Sequence, residues 1–213
     1  MSYLKWKEQI ISNFSPENIN SLYDQGFLFG RNGKGAMYQT RSLRIDLSKF
    51  ELSSENRRIL RKTESIKLEI EKLPMKNYHW SIGKLAKDFY DKKFGDGTFS
   101  ANKIKELLTD KEKSNFNRVF IYALKIGYCI CLETDEIIHY SYPFYANNNT
   151  GGPTGMMMMT KAVDYAKESN KQYIYLGSAK DAKAKYKLQF KGLEWFDGKK
   201  WSEDLDELKN ILK

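Results

Sequence analysis

Four prolines, two cysteines and two histidines are all that 213 residues supply, and each shortage closes off a class of chemistry. His79 and His139 are too few and too far apart in sequence to suggest a metal site. No Ser/His/Asp arrangement and no pair of catalytic carboxylates can be argued from the chain, and His139, in an alternating strand, is free to face solvent. Cys129 and Cys131 stand two apart in an expected strand, so their side chains share a face and cannot easily bridge each other; both read as reduced core residues. No apolar run approaches the roughly 18–20 residues needed to span a bilayer, and the polar start Met1-Ser2-Tyr3-Leu4-Lys5 shows no signal peptide. The expectation is a cytoplasmic protein with no membrane partner. Repeats, low-complexity segments and disordered linkers are also missing.

What is present is basic charge, 36 Lys and Arg against 27 Asp and Glu, a formal +9. Such a surface favours nucleic acid or another polyanion and says nothing of fold. With 41% hydrophobic and 14% aromatic residues, the chain is long enough to bury a proper core. The simplest organisation is one domain over 1–213, with 1–25 an N-terminal helical appendage.

Leu4, Ile10, Ile11 and Phe14 have loosely helical spacing, and Ser15-Pro16-Glu17 reads as an N-cap with proline in the first turn of a second helix ending at Gly26. Strands are expected at 27–31 and 38–47, as a hairpin. Ser53 or Ser54 caps a helix whose Arg57, Arg58, Arg61 and Lys62 occupy an arc of roughly 140°, either a phosphate-contacting face or an ordinary solvated one. Residues 64–73 alternate as a half-buried strand. Helices follow at 81–94 and 100–108, then an antiparallel meander from Phe116 to Tyr145. A helix is expected at 181–190, a last hairpin at Asp197-Gly198, and a terminal helix capped by Ser202 with Glu203 and Asp204 in its first turn.

The passage around which the rest is organised runs from Asn147 to Gly177: a turn-rich loop through Asn149, Thr150, Gly151, Gly152, Pro153, Thr154 and Gly155, a methionine-rich helix to about Ser169, and the strand Gln172–Gly177. Glycines opening a helix leave backbone N–H groups free to cradle a phosphate or an oxyanion. The spacing fits neither a Walker A loop nor a dinucleotide fingerprint, and matches the acyl-carrier loop of acetyltransferase-like (GNAT) folds at one glycine. Met156–Met159 cover every direction of one turn, so some are expected in the core.

Four collinear passages resemble the C-terminal catalytic part of arginyl-tRNA–protein transferases, which have a GNAT-like fold. They are Gly26-Phe27 with Phe29-Gly30-Arg31, Tyr38 and Arg44-Ile45; Phe50 through Ser53, Arg57-Arg58 and Arg61-Lys62; Phe89-Tyr90 through Gly95-Asp96-Gly97; and Tyr173–Gly177 with Lys183, Tyr186-Lys187, Phe190, Glu194, Asp197-Gly198 and Trp201. The resemblance implies an α/β (α+β) fold, a mixed and mostly antiparallel sheet flanked by helices. It also implies transfer of an aminoacyl group from tRNA to an amine, commonly a protein or peptide N-terminus. Where the family carries cysteines, this chain has Tyr38-Gln39-Thr40-Arg41-Ser42, so no iron–sulfur or metal role carries over, and aminoacyl-tRNA is a co-substrate with no cofactor expected.

In that frame the N–H groups from Gly151 to Gly155, with Asn149, Thr150 and Thr154, hold a carbonyl oxygen or a phosphate. Tyr175, Gly177 and Ser178 line the cleft, and Tyr186, unless it is a packing tyrosine, gives a proton to the leaving hydroxyl. Arg57, Arg58, Arg61, Lys62, Lys183 and Lys187 meet tRNA phosphates. Two other readings stay open: an N-acetyltransferase using acetyl-CoA on the same fold, and a tRNA-binding module without catalysis.

Overall fold

A computed structural model describes residues 4–123, 126–146 and 154–213. In chain order it begins with β1 (Lys7–Ile10), α1 (Pro16–Asp24), β2 (Phe27–Phe29), β3 (Ala36–Gln39), β4 (Ser42–Asp46), α2 (Ser54–Lys62) and β5 (Leu68–Lys72). There follow α3 (Trp80–Phe94), α4 (Ala101–Thr109), β6 (Arg118–Tyr122), β7 (Gly127–Glu133), β8 (Ile137–Tyr145), α5 (Thr154–Glu168) and β9 (Tyr173–Ser178). A 3-10 helix (Ala182–Gln189), β10 (Leu193–Phe196), β11 (Trp201–Ser202) and α6 (Leu205–Ile211) complete it.

The strands form a small sheet, β1-β3-β2, and a large one in the order β11-β10-β4-β9-β8-β7-β6-β5. The large sheet is mostly antiparallel, but β8 and β9 run parallel, with Ile137, Ile138 and His139 opposite Tyr173, Ile174 and Tyr175. Parallel neighbours need a crossover, and α5 supplies it. This is the mixed, mostly antiparallel, helix-flanked arrangement expected from the sequence. The chain divides into two compact units, one of Met1–Ser53, Thr134–His139 and Ala166–Lys213, the other of Ser54–Glu133 and Tyr140–Tyr165.

In the first unit, Ser15 accepts a hydrogen bond from the Asn18 N–H (3.3 Å) and Pro16 opens α1, as the capping pattern predicts. The helix ends at Gly26, whose φ of +80° turns the chain into β2; a side chain there would run into the Phe196 ring. The core of this unit gathers Tyr23, Leu43, Ile45, Leu47, Ile174, Leu176, Phe190 and Trp195, all buried.

In the second unit, β7 is covered on both faces, and so its sequence Tyr-Cys-Ile-Cys-Leu reads as a continuous apolar run. Both cysteines are free and fully buried, and burial pushes the Cys129 thiol pKa up. All four of Met156–Met159 are buried, more than the helical pattern required. An unbranched thioether fills irregular space on every side of a turn, and the Tyr122 hydroxyl fixes that turn by donating to the Met158 carbonyl (2.7 Å).

Four elements depart from the sequence reading. Residues 7–10 form a strand, not a helix, because pairing with β3 offers a ladder while the spacing offers no buried face: Ile10 is 78% exposed. The strand expected at 38–47 breaks at Thr40-Arg41, where the Ser42 N–H turns back to the Thr40 carbonyl (2.7 Å). The segment expected as a helix at 181–190 winds as a 3-10 helix. Asp204, not Ser202, caps α6, its carboxylate accepting from the Asp206 and Glu207 N–H groups. Among the described residues, no helix is long and apolar enough to cross a membrane.

Candidate functional site

The first unit holds a concentration of buried polar side chains around β9. One edge of β9 pairs with β8 and the other with β4, where Arg44 stands opposite Tyr175 and Ser42 opposite Ser178. Between those two pairs β4 advances two residues and β9 three, so β9 carries a bulge. Gly177, at φ +79°, provides the left-handed conformation that the bulge needs. The carbonyls that the bulge turns out of the ladder are taken by the Lys187 ammonium, which donates to Leu176 O (2.7 Å) and Ser178 O (3.4 Å). A Cβ on Gly177 would meet only Lys187 Nζ, at 3.8 Å. Gly177→Ala should therefore cost only the backbone strain, about 1–2 kcal/mol, as a shift in the urea midpoint. A loss above roughly 3 kcal/mol would show that the bulge is held in some other way.

His139, Tyr23 and Tyr175 meet at the paired end of β8 and β9. Tyr23 OH lies 2.9 Å from His139 Nδ1 and accepts from the Phe29 N–H (3.3 Å). The Tyr23 ring packs edge-on against both His139 and Tyr175, the latter at 4.9 Å. Burial, with a smaller contribution from the Lys187 charge, lowers the His139 pKa to about 3, so the imidazole is neutral at physiological pH. Burial also pushes the Tyr175 phenol up, against the pull of Arg44.

Arg44 ties the strands together. Its guanidinium lies between the rings of Tyr173 (3.9 Å) and Trp201 (4.0 Å). Nε donates to Glu194 (2.8 Å), and Nη1 donates to Asp24 (2.7 Å) and to Tyr175 OH (3.4 Å). Burial alone would pull its pKa down, but Tyr175, Asp24 and Glu194 more than reverse this, so the residue is a fixed cation. Arg41 is different. Among the described residues Nη1 reaches only the Ala179 carbonyl (3.3 Å), Nε is buried without a partner and the buried Thr40 hydroxyl next to it in the chain is also unsatisfied, and burial pulls the Arg41 pKa down. A guanidinium left with open donors is suited to an anionic group of a bound substrate.

Of the expected site residues, Tyr175, Gly177, Ser178 and Lys187 come together here, Gly177 and Ser178 half-buried. Lys183 and Tyr186 stand exposed on the 3-10 helix, Tyr186 at 42%. Lys187 turns inward onto carbonyls instead of outward to a phosphate. In the second unit, Thr154 and Gly155 open α5, Thr154 buried, and Gly155 lies against the Tyr145 ring. Asn149, Thr150, Gly151 and Gly152 lie outside the described residues. Arg57, Arg58, Arg61 and Lys62 are all exposed on α2, with Arg58 gripped by Glu55 through two hydrogen bonds (2.5 and 2.6 Å).

Sequence reasoning missed His139, Tyr23 and Arg41 as site residues. His139 is buried, not facing solvent; its signal was that Ile137, Ile138 and Tyr140 leave neither face of β8 polar, which marks a strand covered on both sides.

No protein-family model matches the chain, and no curated protein does. Solved structures overlap it at low identity. L-PGS from Bacillus licheniformis aligns at 14% identity and a TM-score of 0.48, over 92% of this chain and 70% of that one. FemX aligns at 10% identity and a TM-score of 0.46, over 92% of this chain and 64% of that one.

Proposed function

We propose that this protein is an aminoacyl-tRNA-dependent transferase, moving an amino acid from charged tRNA to an amine such as a protein or peptide N-terminus. The observation that carries the reading is the convergence on Arg44: Arg44 belongs to the first of the four passages that resemble arginyl-transferases, and Tyr173, Tyr175, Glu194 and Trp201, all around it, belong to the last. Two passages far apart in the chain thus form one cluster around the buried Arg44, which supports the reading. The exposed cations of α2 and the net +9 charge suit a polyanionic donor.

The chemistry asks little of the protein beyond positioning, because the aminoacyl ester is already activated. The neutral amine attacks the ester carbonyl carbon, the oxyanion forms, and the C–O bond to the ribose breaks. The ribose oxygen takes up one proton and the new amide nitrogen releases one. Arg41 is the group we assign to an anionic part of a substrate. Tyr186, exposed on the 3-10 helix, is assigned the proton to the leaving hydroxyl.

Titration of the purified protein with aminoacylated tRNA and with acetyl-CoA, each at two salt concentrations, tests the donor. Salt-sensitive binding of tRNA followed by transfer to an amine supports the proposal; saturable acetyl-CoA binding with acetyl transfer and no tRNA preference overturns it, and tRNA binding without any turnover leaves a binding module. Replacing Arg57, Arg58 and Arg61 together by alanine should weaken tRNA binding by on the order of tenfold and reduce the salt slope by about one for each phosphate no longer neutralised. An unchanged slope removes α2 from the interface.

A further inference from the structure

The second unit contains a cavity of about 380 Å³ that none of the chemistry above uses. Leu85, Asp88, Phe89, Lys92 and Lys93 line it from one stripe of α3, and Tyr145 and Ala146 close it from the end of β8. The spacing explains the stripe: positions 85, 88 or 89, and 92 or 93 recur on one side of a helix. The walls are mainly ring and aliphatic surface. The Phe89 and Tyr145 centroids are 4.6 Å apart at 55°, and Gly155 fixes the other side of Tyr145, since a Cβ there would come within 2.9 Å of the phenol oxygen.

The charges at the rim are unbalanced. Asp88 is answered by Lys84 on its own helix (2.5 Å). Lys93 leans over the rings, its ammonium 5.1 Å from Phe89 and 5.9 Å from Tyr145, and the crowding pulls its pKa down although the residue as a whole stays exposed. Lys92 is exposed with no partner among the described residues. An apolar aromatic floor under two cations calls for a ligand that is flat, apolar on its faces and anionic at one end. The volume falls at the lower end of small-ligand sites, roughly 300–1,000 Å³, which admits one nucleotide and no helix. Phe89 belongs to the third passage of the resemblance, which the cluster around Arg44 does not absorb.

We infer that the cavity between α3 and the end of β8 binds a single unpaired nucleotide, its base packed on Phe89 and Tyr145 and its phosphate met by Lys92 and Lys93. Stacking of this kind accepts any base and gives no sequence readout. Taken with the proposed function, the occupant is a single-stranded terminus of the RNA donor, and to that extent the assignment rests on that reading.

Calorimetric titration with adenosine 5′-monophosphate, adenosine and ribose 5-phosphate tests the site. Adenosine 5′-monophosphate should bind more tightly than either fragment. Phe89→Ala should weaken it roughly tenfold or more, and Lys92→Glu, an exposed substitution that spares the fold, should weaken the nucleotide severalfold while leaving adenosine unchanged. Absence of nucleotide binding at millimolar concentration, or wild-type affinity in the Lys92→Glu protein, overturns the inference, and the second variant decides even where Phe89→Ala fails to fold. Transfer from charged tRNA with unaltered KM in the Lys92→Glu protein would remove the nucleotide site and leave the transferase reading standing. Nucleotide binding that obeys both substitutions, in a protein that transfers nothing from charged tRNA, would do the reverse.

Discussion

Arg44→Ala should destabilise the protein by about 3–5 kcal/mol, the cost of stranding one member of a buried ion pair. The Arg44 side chain is 7% exposed and that of Glu194 10%, so the carboxylate has little access to water and keeps only the longer contact to the half-exposed Lys49 (3.4 Å). Asp24, whose side chain is 68% exposed, regains solvent and contributes little to the loss. Tyr173 and Trp201 lose the cation between them, so Arg44→Lys should recover only part of the stability: an ammonium matches neither the planar stack nor the fork of donors. The double variant Arg44→Met with Glu194→Leu should be less damaged than Arg44→Ala alone, because neither member of the buried pair is left behind, Asp24 is solvated and Lys49 keeps Asp46 and Glu203. Urea midpoints for the three proteins check this. A single-variant loss under about 1 kcal/mol, or a double variant worse than the single, would show that the cluster does not hold β4, β9 and β10 together.

The sheet could be read in the sequence wherever one physical cue dominated. Alternation over 64–73, realised as the shorter β5 at Leu68–Lys72, the cap at Ser15, and the β-rich runs of the meander each gave an element that the structure contains. The parts that could not be read depend on partners distant in the chain. Lys7–Ile10 is a strand only because Ala36–Gln39 lies beside it, and nothing within the segment announces that. The site divides in the same way. Tyr175, Gly177 and Ser178 followed from a resemblance in one short stretch. Tyr23 and His139, 116 positions apart, form a pair that periodicity cannot reveal, and Arg41 stands out only because the described residues around it leave its Nε without a partner. The bulge that turns Lys187 inward was equally hidden, since it arises from unequal advance along two strands.

His139 gives the chain an acid sensitivity in a window where few other groups titrate. In the folded state its pKa is about 3 against an ordinary 6.5, so the unfolded chain takes up a proton that the folded one refuses. The stability that the neutral ring contributes is complete above about pH 6.5. It falls as pH drops below that value, by about 1.4 kcal/mol per unit, and the decline continues until the folded ring protonates near pH 3. Between pH 7.5 and pH 5 the expected loss is about 2 kcal/mol. The groups facing the ring do not relieve it: burial raises the Tyr175 phenol, and the Lys187 charge opposes protonation of the imidazole. Carboxylates held low in the fold, such as Asp46, Asp91 and Asp197, have the opposite starting point. Their stabilisation is present above about pH 4 and is lost only below it, so the two windows separate. Urea unfolding of the wild type and of His139→Gln at pH 7.5, 6 and 5 measures the difference in slope, which does not depend on how much the substitution itself costs. The variant should be nearly flat over that range; parallel slopes in the two proteins would mean that His139 is protonated, or reached by water, in the folded state.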